Sequence, residues 1–149
     1  MELGRRSNSF FDDVDRSYVV AQLEGRMDAP VELTVTAPRT SPLLLSPAAG
    51  AEEAARAEQL GRELAALEQR VRLTVTDQGA TDIPTLTVAS RASPGTVRFV
   101  GVPRVNLFRA LLEAVRRAST GDHGLRDGWA AALAALPRPV HAQVFATPT

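Results

Sequence analysis

Apolar and polar residues alternate in several short stretches of this chain and recur at helical spacing in several longer ones. Residues 31–37 (VELTVTA) alternate strictly and are rich in β-branched side chains, which predicts a strand. The same pattern predicts strands over 71–76 (VRLTVT), 85–89 (TLTVA) and 96–100 (TVRFV). Across 12–27, Val14, Tyr18 or Val19, and Leu23 share one helical face, with Asp12 and Asp13 in the first turn where the helix dipole favours acids. Residues 51–70 predict the longest helix: Ala57, Leu60, Leu64, Leu67 and Val71 form the buried stripe, and Glu52–Arg56 and Glu58–Arg62 are i,i+4 pairs on the wet side. Over 103–118, Leu107, Phe108, Leu111, Leu112 and Val115 point inward, and Arg116 and Arg117 close the helix at its C-terminal end. A further helix over 125–136, anchored by Trp129, is stopped by Pro137 and Pro139.

The connections are equally legible. Pro38, Pro42 and Pro47 surround the apolar triplet Leu43, Leu44 and Leu45, so 38–49 is irregular, although Ser46 can cap a helix whose first residue is Pro47. Residues 77–82 (DQGATD) carry turn chemistry. The short connection 90–95 (SRASPG) makes the last two strands a hairpin, and Gly101, Val102 and Pro103 break the sheet. The order α-β-α-β-β-β-α predicts a parallel right-handed βαβ unit followed by an antiparallel hairpin and a covering helix. The fold class is therefore α/β, a central mixed sheet flanked by helices.

Residues 139–149 (PVHAQVFATPT) repeat the beginning of the first strand. Aligned without gaps, Pro30, Val31, Val35, Ala37 and Thr40 match Pro139, Val140, Val144, Ala146 and Thr149. Residues 140–146 are thus expected to be a strand that opens a second copy of the unit. The domain organisation that follows is a loose N-terminus (1–11), one α/β unit (12–120), a linker helix (121–137) and the first strand of a truncated second unit (138–149).

Composition narrows the chemistry. A hydrophobic fraction of 44% over 149 residues suits one folded domain and argues against general disorder. The formal net charge is zero, so no bulk attraction to nucleic acid or anionic membrane is expected. There is no cysteine, which removes disulfides, thiolate metal ligands and thiol catalysis together. No apolar run reaches the length of a membrane span and no secretory signal precedes the first helix, so a cytoplasmic protein is expected. His123 and His141 lack the spacing of metal ligands, and no catalytic triad, carboxylate pair or phosphate loop stands out, so no metal and no cofactor are expected.

The element order, together with Ala29-Pro30-Val31-Glu32-Leu33, Leu64-Ala65-Ala66-Leu67 leading into the second strand, Ile83-Pro84-Thr85, and Val97 through Pro103 with Phe108, resembles the thioredoxin-like and glutaredoxin-like family. Within it the chain is most similar to the tandem units of protein disulfide oxidoreductases and of the N-terminal domain of the alkyl hydroperoxide reductase flavoprotein subunit. In that group two units pack into one sheet and the second carries Cys-x-x-Cys directly after its first strand. The resemblance implies that Ser41, Pro42, Leu43 and Leu44 occupy a degenerate redox slot. It also implies that Ile83, Pro84 and Thr85 form the cis-proline loop. Where the family has an acidic residue after the Gly-x-Pro, this chain has Leu107.

The implied function is that of a non-catalytic unit of a thiol–disulfide oxidoreductase serving redox homeostasis, scaffolding a Cys-x-x-Cys unit. Its expected partner is that second unit or another copy of the chain. A stand-alone protein-interaction module without redox activity is the alternative. It would use Ile83 and Pro84 or the arginine face formed by Arg91, Arg98, Arg104, Arg109, Arg116 and Arg117, although that face also reads as a solvated surface balanced by the acidic helix.

Overall fold

In a computed structural model the described residues are 9–38 and 50–146. The alternating stretches form β1 (Val31–Thr36), β2 (Val71–Thr76), β3 (Thr85–Ser90) and β4 (Ser93–Val100), joined in one sheet in the order β2-β1-β3-β4. β1 and β2 run parallel, while β3 is antiparallel to both β1 and β4. β1 and β2 share the pattern Val-x-Leu-Thr-Val-Thr, and the register sets each residue beside its counterpart, from Val31 with Val71 to Thr36 with Thr76. Side chains alternate across a strand, so this register stacks like on like on each face.

One face is apolar and buried through Val31, Leu33, Val35, Val71, Leu86 and Val88. α1 (Asp13–Leu23), α2 (Ala51–Leu67) and α3 (Asn106–Thr120) cover it. α2 lies over β1 and β2, α3 over β1, β3 and β4, and α1 touches both helices. Leu60 and Leu64 of α2, Leu111 and Val115 of α3, and Val19 and Leu23 of α1 are fully buried in the shared core. Each such side chain contributes roughly 1.5–3 kcal/mol of transfer free energy. Gly61 lets α2 approach the sheet, because a Cβ there would lie 2.7 Å from Leu73 Cδ1. The opposite face carries Thr34, Thr36, Thr74, Thr76, Thr85 and Thr87, none of them buried, and no helix among the described residues packs on it.

Local chemistry explains the element ends. The Asp12 side chain caps α1 by accepting from the Asp15 N–H at 2.7 Å. α2 stops at Leu67, short of the expected residue 70, because Glu68 turns extended so that the Arg70 carbonyl can accept from the Val31 N–H at 2.8 Å. α3 starts at Asn106, three residues later than expected, after Val105 takes a positive φ of 47°. Its far end is tied to the sheet by buried Ser119. The Ser119 hydroxyl accepts from the Asp28 and Ala29 N–H groups, each at 2.9 Å, and donates to the Ala29 carbonyl.

Glu63 of α2 is the other long-range tie. Its carboxylate accepts from the backbone N–H groups of Phe10 and Phe11 at 2.5 and 3.1 Å and from Ser9 Oγ at 2.8 Å. Burial pushes this carboxyl up, but the donations from Phe10, Ser9, Phe11 and Gln59 outweigh it and leave the pKa lowered. Phe11 is thereby held against Phe108 of α3, ring centroids 5.3 Å apart.

Three expectations need correction. Residues 140–146 form no strand: they pair with neither edge of the sheet, and Val140, Val144 and Phe145 are exposed, Phe145 to 91%. A strand exists only through a ladder partner, and this segment has none among the described residues. The Ile83–Pro84 peptide is trans, since no cis bond occurs among the described residues. The helix expected over 125–136 is shorter, α4 (Asp127–Ala134), and contains no buried residue, with Trp129 67% exposed rather than anchored. The Ser46–Pro47 start considered for α2 lies outside the described residues; within them α2 begins at Ala51 behind Gly50. No helix among the described residues is long and apolar enough to cross a membrane.

Candidate functional site

Three segments converge at one end of the sheet: the N-terminus of α2, the loop 81–84 that enters β3, and the loop 101–105 that leaves β4. Gly50 makes the first junction. Its φ is +84°, and a Cβ at this position would lie only 2.0 Å from the Asp82 carbonyl oxygen, so only glycine fits. The second junction is backbone: the Gly101 N–H donates to the Pro84 carbonyl at 2.8 Å. The third is ionic: Arg104 Nη2 lies 2.7 Å from Glu53 Oε1 across 51 residues of chain. Thr81 Oγ1 donates to the Ile83 carbonyl at 3.0 Å and shapes the loop itself.

A helix N-terminus stabilises negative charge, and a thiol placed there is ionised more readily. In this chain the first turn of α2 holds Glu52 and Glu53, countered by Arg56 at 2.6 Å from Glu52 and by Arg104. The described part of the site offers no thiol and no histidine. Around it lie exposed aliphatic side chains: Ile83, Val100 and Val105 are each more than half exposed. Val105 is also strained, because a β-branched residue at φ 47°, ψ −111° costs on the order of 1–3 kcal/mol.

Ile83, Pro84 and Thr85 are therefore set beside the α2 N-terminus, with Pro84 buried and Thr85 opening β3 between Thr36 and Val100. Ser41, Pro42, Leu43 and Leu44 lie outside the described residues. The arginines between 91 and 117 do not gather into one patch. Arg104 joins Glu53, Arg109 stacks over the Tyr18 ring at 5.8 Å, and Arg116 and Arg117 both hold Glu113, at 2.8 and 2.6 Å. Hydrogen bonds from Arg116 and then Arg117 lower the Glu113 pKa to about 2. His123 accepts from the Leu125 N–H, and among the described residues no group of metal-ligating side chains forms.

Sequence reasoning missed Gly50, Glu53, Arg104 and Val105 as parts of this junction. Gly50 had a local signal, a glycine directly before a helical stripe. The Glu53–Arg104 pair had none, because its members are distant in sequence. No protein-family model matches the chain, and no curated protein matches it.

Proposed function

We propose that the chain is a non-catalytic thioredoxin-like unit of a thiol–disulfide oxidoreductase, which packs beside and scaffolds a Cys-x-x-Cys unit in redox homeostasis. The observation that carries this reading is the meeting of the α2 N-terminus with the Ile83–Pro84 loop in a β2-β1-β3-β4 mixed sheet. That juxtaposition is what a thioredoxin-like site needs: a helix end to favour a thiolate, and a loop entering a strand to present backbone to an extended polypeptide. Without cysteine, the chain itself performs no thiol–disulfide exchange. Its contribution is surface and support.

The coding sequence beyond codon 149 tests this reading. A Cys-x-x-Cys within the next few codons is the expected result, placed where the gapless repeat puts the slot of a second unit. A stop codon directly after Thr149 contradicts it.

The second reading, a stand-alone protein-interaction module, is favoured by the trans Ile83–Pro84 bond and by the exposed Ile83, Val100 and Val105. On that reading the aliphatic cluster docks a protein directly, and no thiol chemistry accompanies it.

A further inference from the structure

The two edges of the sheet are built differently. β4 carries the features that keep an edge from pairing: Pro94 lacks an N–H, Arg98 puts a charge in the strand, and the register against β3 shifts between Val88 and Ser90. β2 has no proline and pairs with β1 without a break from Val71 to Thr76. Its one charged residue, Arg72, faces Glu32 at 3.8 Å. The ladder bonds show which groups of β2 are free. The Val31 N–H donates to the Arg70 carbonyl and the Ala37 N–H to the Thr76 carbonyl, so the even-numbered residues of β2 face β1. Direction alternates along a strand, so Leu73 and Val75 turn their N–H and C=O groups outward. No described backbone group pairs with them.

We infer that β2 pairs antiparallel with β2 of a second copy across a two-fold axis, joining the two sheets into one. The free groups fix the register. Setting Leu73 beside Val75 of the copy, and Val75 beside its Leu73, satisfies every outward N–H and C=O group of these residues on both strands. The side chains suit this register. Leu73 and Val75, the latter 42% exposed, meet their counterparts on the helix-covered face. On the open face Thr74 stands against Thr74 of the copy at the two-fold axis, a favourable cross-strand pair, and Arg72 stands against Thr76. The two Arg72 residues are thereby held about 13 Å apart along the strands. The covering helices bring no unbalanced charge. α2 lies over β1 and β2, so pairing sets the two α2 helices side by side. Every charged side chain of α2 already faces an opposite charge within its own copy: Glu52 with Arg56, Glu58 with Arg62, Glu53 with Arg104 and Glu63 with Arg16. A second copy fits better than an unstructured segment, because its strand is already formed and presents the same free residues at the same spacing. The paired strands are short, so the dimer is weak and depends on concentration. The inference rests on the β2 edge and is decided separately from the redox reading, which the coding sequence tests.

Light scattering and amide hydrogen exchange on the 149-residue chain, from about 10 μM to about 1 mM, test it. The expected result is a rise from 15.9 kDa toward twice that mass. Over the same range, exchange at the Leu73 and Val75 amides is expected to slow about fivefold. Arg98 and Val100 serve as controls: the Gly101 N–H bonds the Pro84 carbonyl, so their amides face outward from the opposite edge and stay fast. Thr74→Arg sets two cations face to face across the two-fold axis, and Thr74→Glu two anions. Each variant alone is expected to stay monomeric, with unchanged far-UV circular dichroism because Thr74 is exposed. An equal mixture of the two is expected to restore the dimer, since Arg on one copy then faces Glu on the other. Any of four outcomes overturns the inference: a monomer throughout the range, a dimer that protects Arg98 and Val100 instead, a dimer that withstands both Thr74 variants, or protection of Leu73 and Val75 that ignores concentration because residues 140–146 of the same chain cover the edge.

Discussion

At the scale of single residues, three side chains carry measurable consequences. Val105 sits in a backbone region that favours glycine, and its side chain is 65% exposed, so little packing opposes a change. Val105→Gly is expected to raise stability by about 1 kcal/mol in urea unfolding, the relief of strain exceeding glycine's added entropy. A loss of stability would contradict the strain. Glu63 holds two backbone N–H groups and Ser9 together. Glu63→Ala leaves those donors without an acceptor and is expected to cost about 2–3 kcal/mol. Freer Phe10 and Phe11 amides in hydrogen exchange would be its local signature. For Glu113 the sign follows from its lowered pKa. A carboxyl at about 2 in the folded chain and near 4.3 unfolded adds stability above the unfolded value, and this is lost as pH falls from about 4 toward 2. Because this carboxylate is 44% exposed, screening limits the effect to under about 1 kcal/mol. Unfolding curves of the wild type and Glu113→Gln should converge over that interval; a constant gap would contradict the linkage.

At the scale of elements, legibility followed the period of the pattern. β2 matches its expected bounds, and β1, β3 and the start of α2 match to within a residue, because strict alternation and a long apolar stripe leave little freedom. The ends of α2 and α3 moved because Glu68 and Val105 adopt backbone conformations that answer to tertiary demands, not to local propensity. Residues 140–146 show the limit most clearly. Their alternation is that of a strand, but alternation supplies only a face, and a ladder needs an edge to pair with. Trp129 failed as an anchor for a similar reason, since an apolar stripe does not say which surface it meets. Of the candidate site, the Ile83–Pro84 loop was legible in sequence, but its contact with the α2 N-terminus was visible only in three dimensions. Gly50 makes that contact, so Gly50→Ala is expected to lower stability by more than about 2 kcal/mol, with the largest amide shifts at residues 81–84. An unperturbed 81–84 loop would show that the two segments are not in contact.

At the scale of the whole molecule, the arrangement is two-layered. Three helices protect one face of a four-stranded sheet, and the other face is left to its threonines. The sheet organises everything else. Parallel pairing of β1 with β2 requires the α2 crossover, which sets the α2 N-terminus near the loop that leads into β3. The proposed scaffold role would use what this layering leaves open at one end of the sheet.

The proposed function depends above all on the closeness of Gly50 to Asp82, and nuclear Overhauser contacts in the 149-residue chain measure it directly. Cross-peaks between the Gly50 α-protons and the backbone protons of Asp82 or Ile83, alongside the parallel β1–β2 ladder, are the predicted result. Their absence in a folded chain whose β1–β2 and β1–β3 ladders are intact would contradict the account.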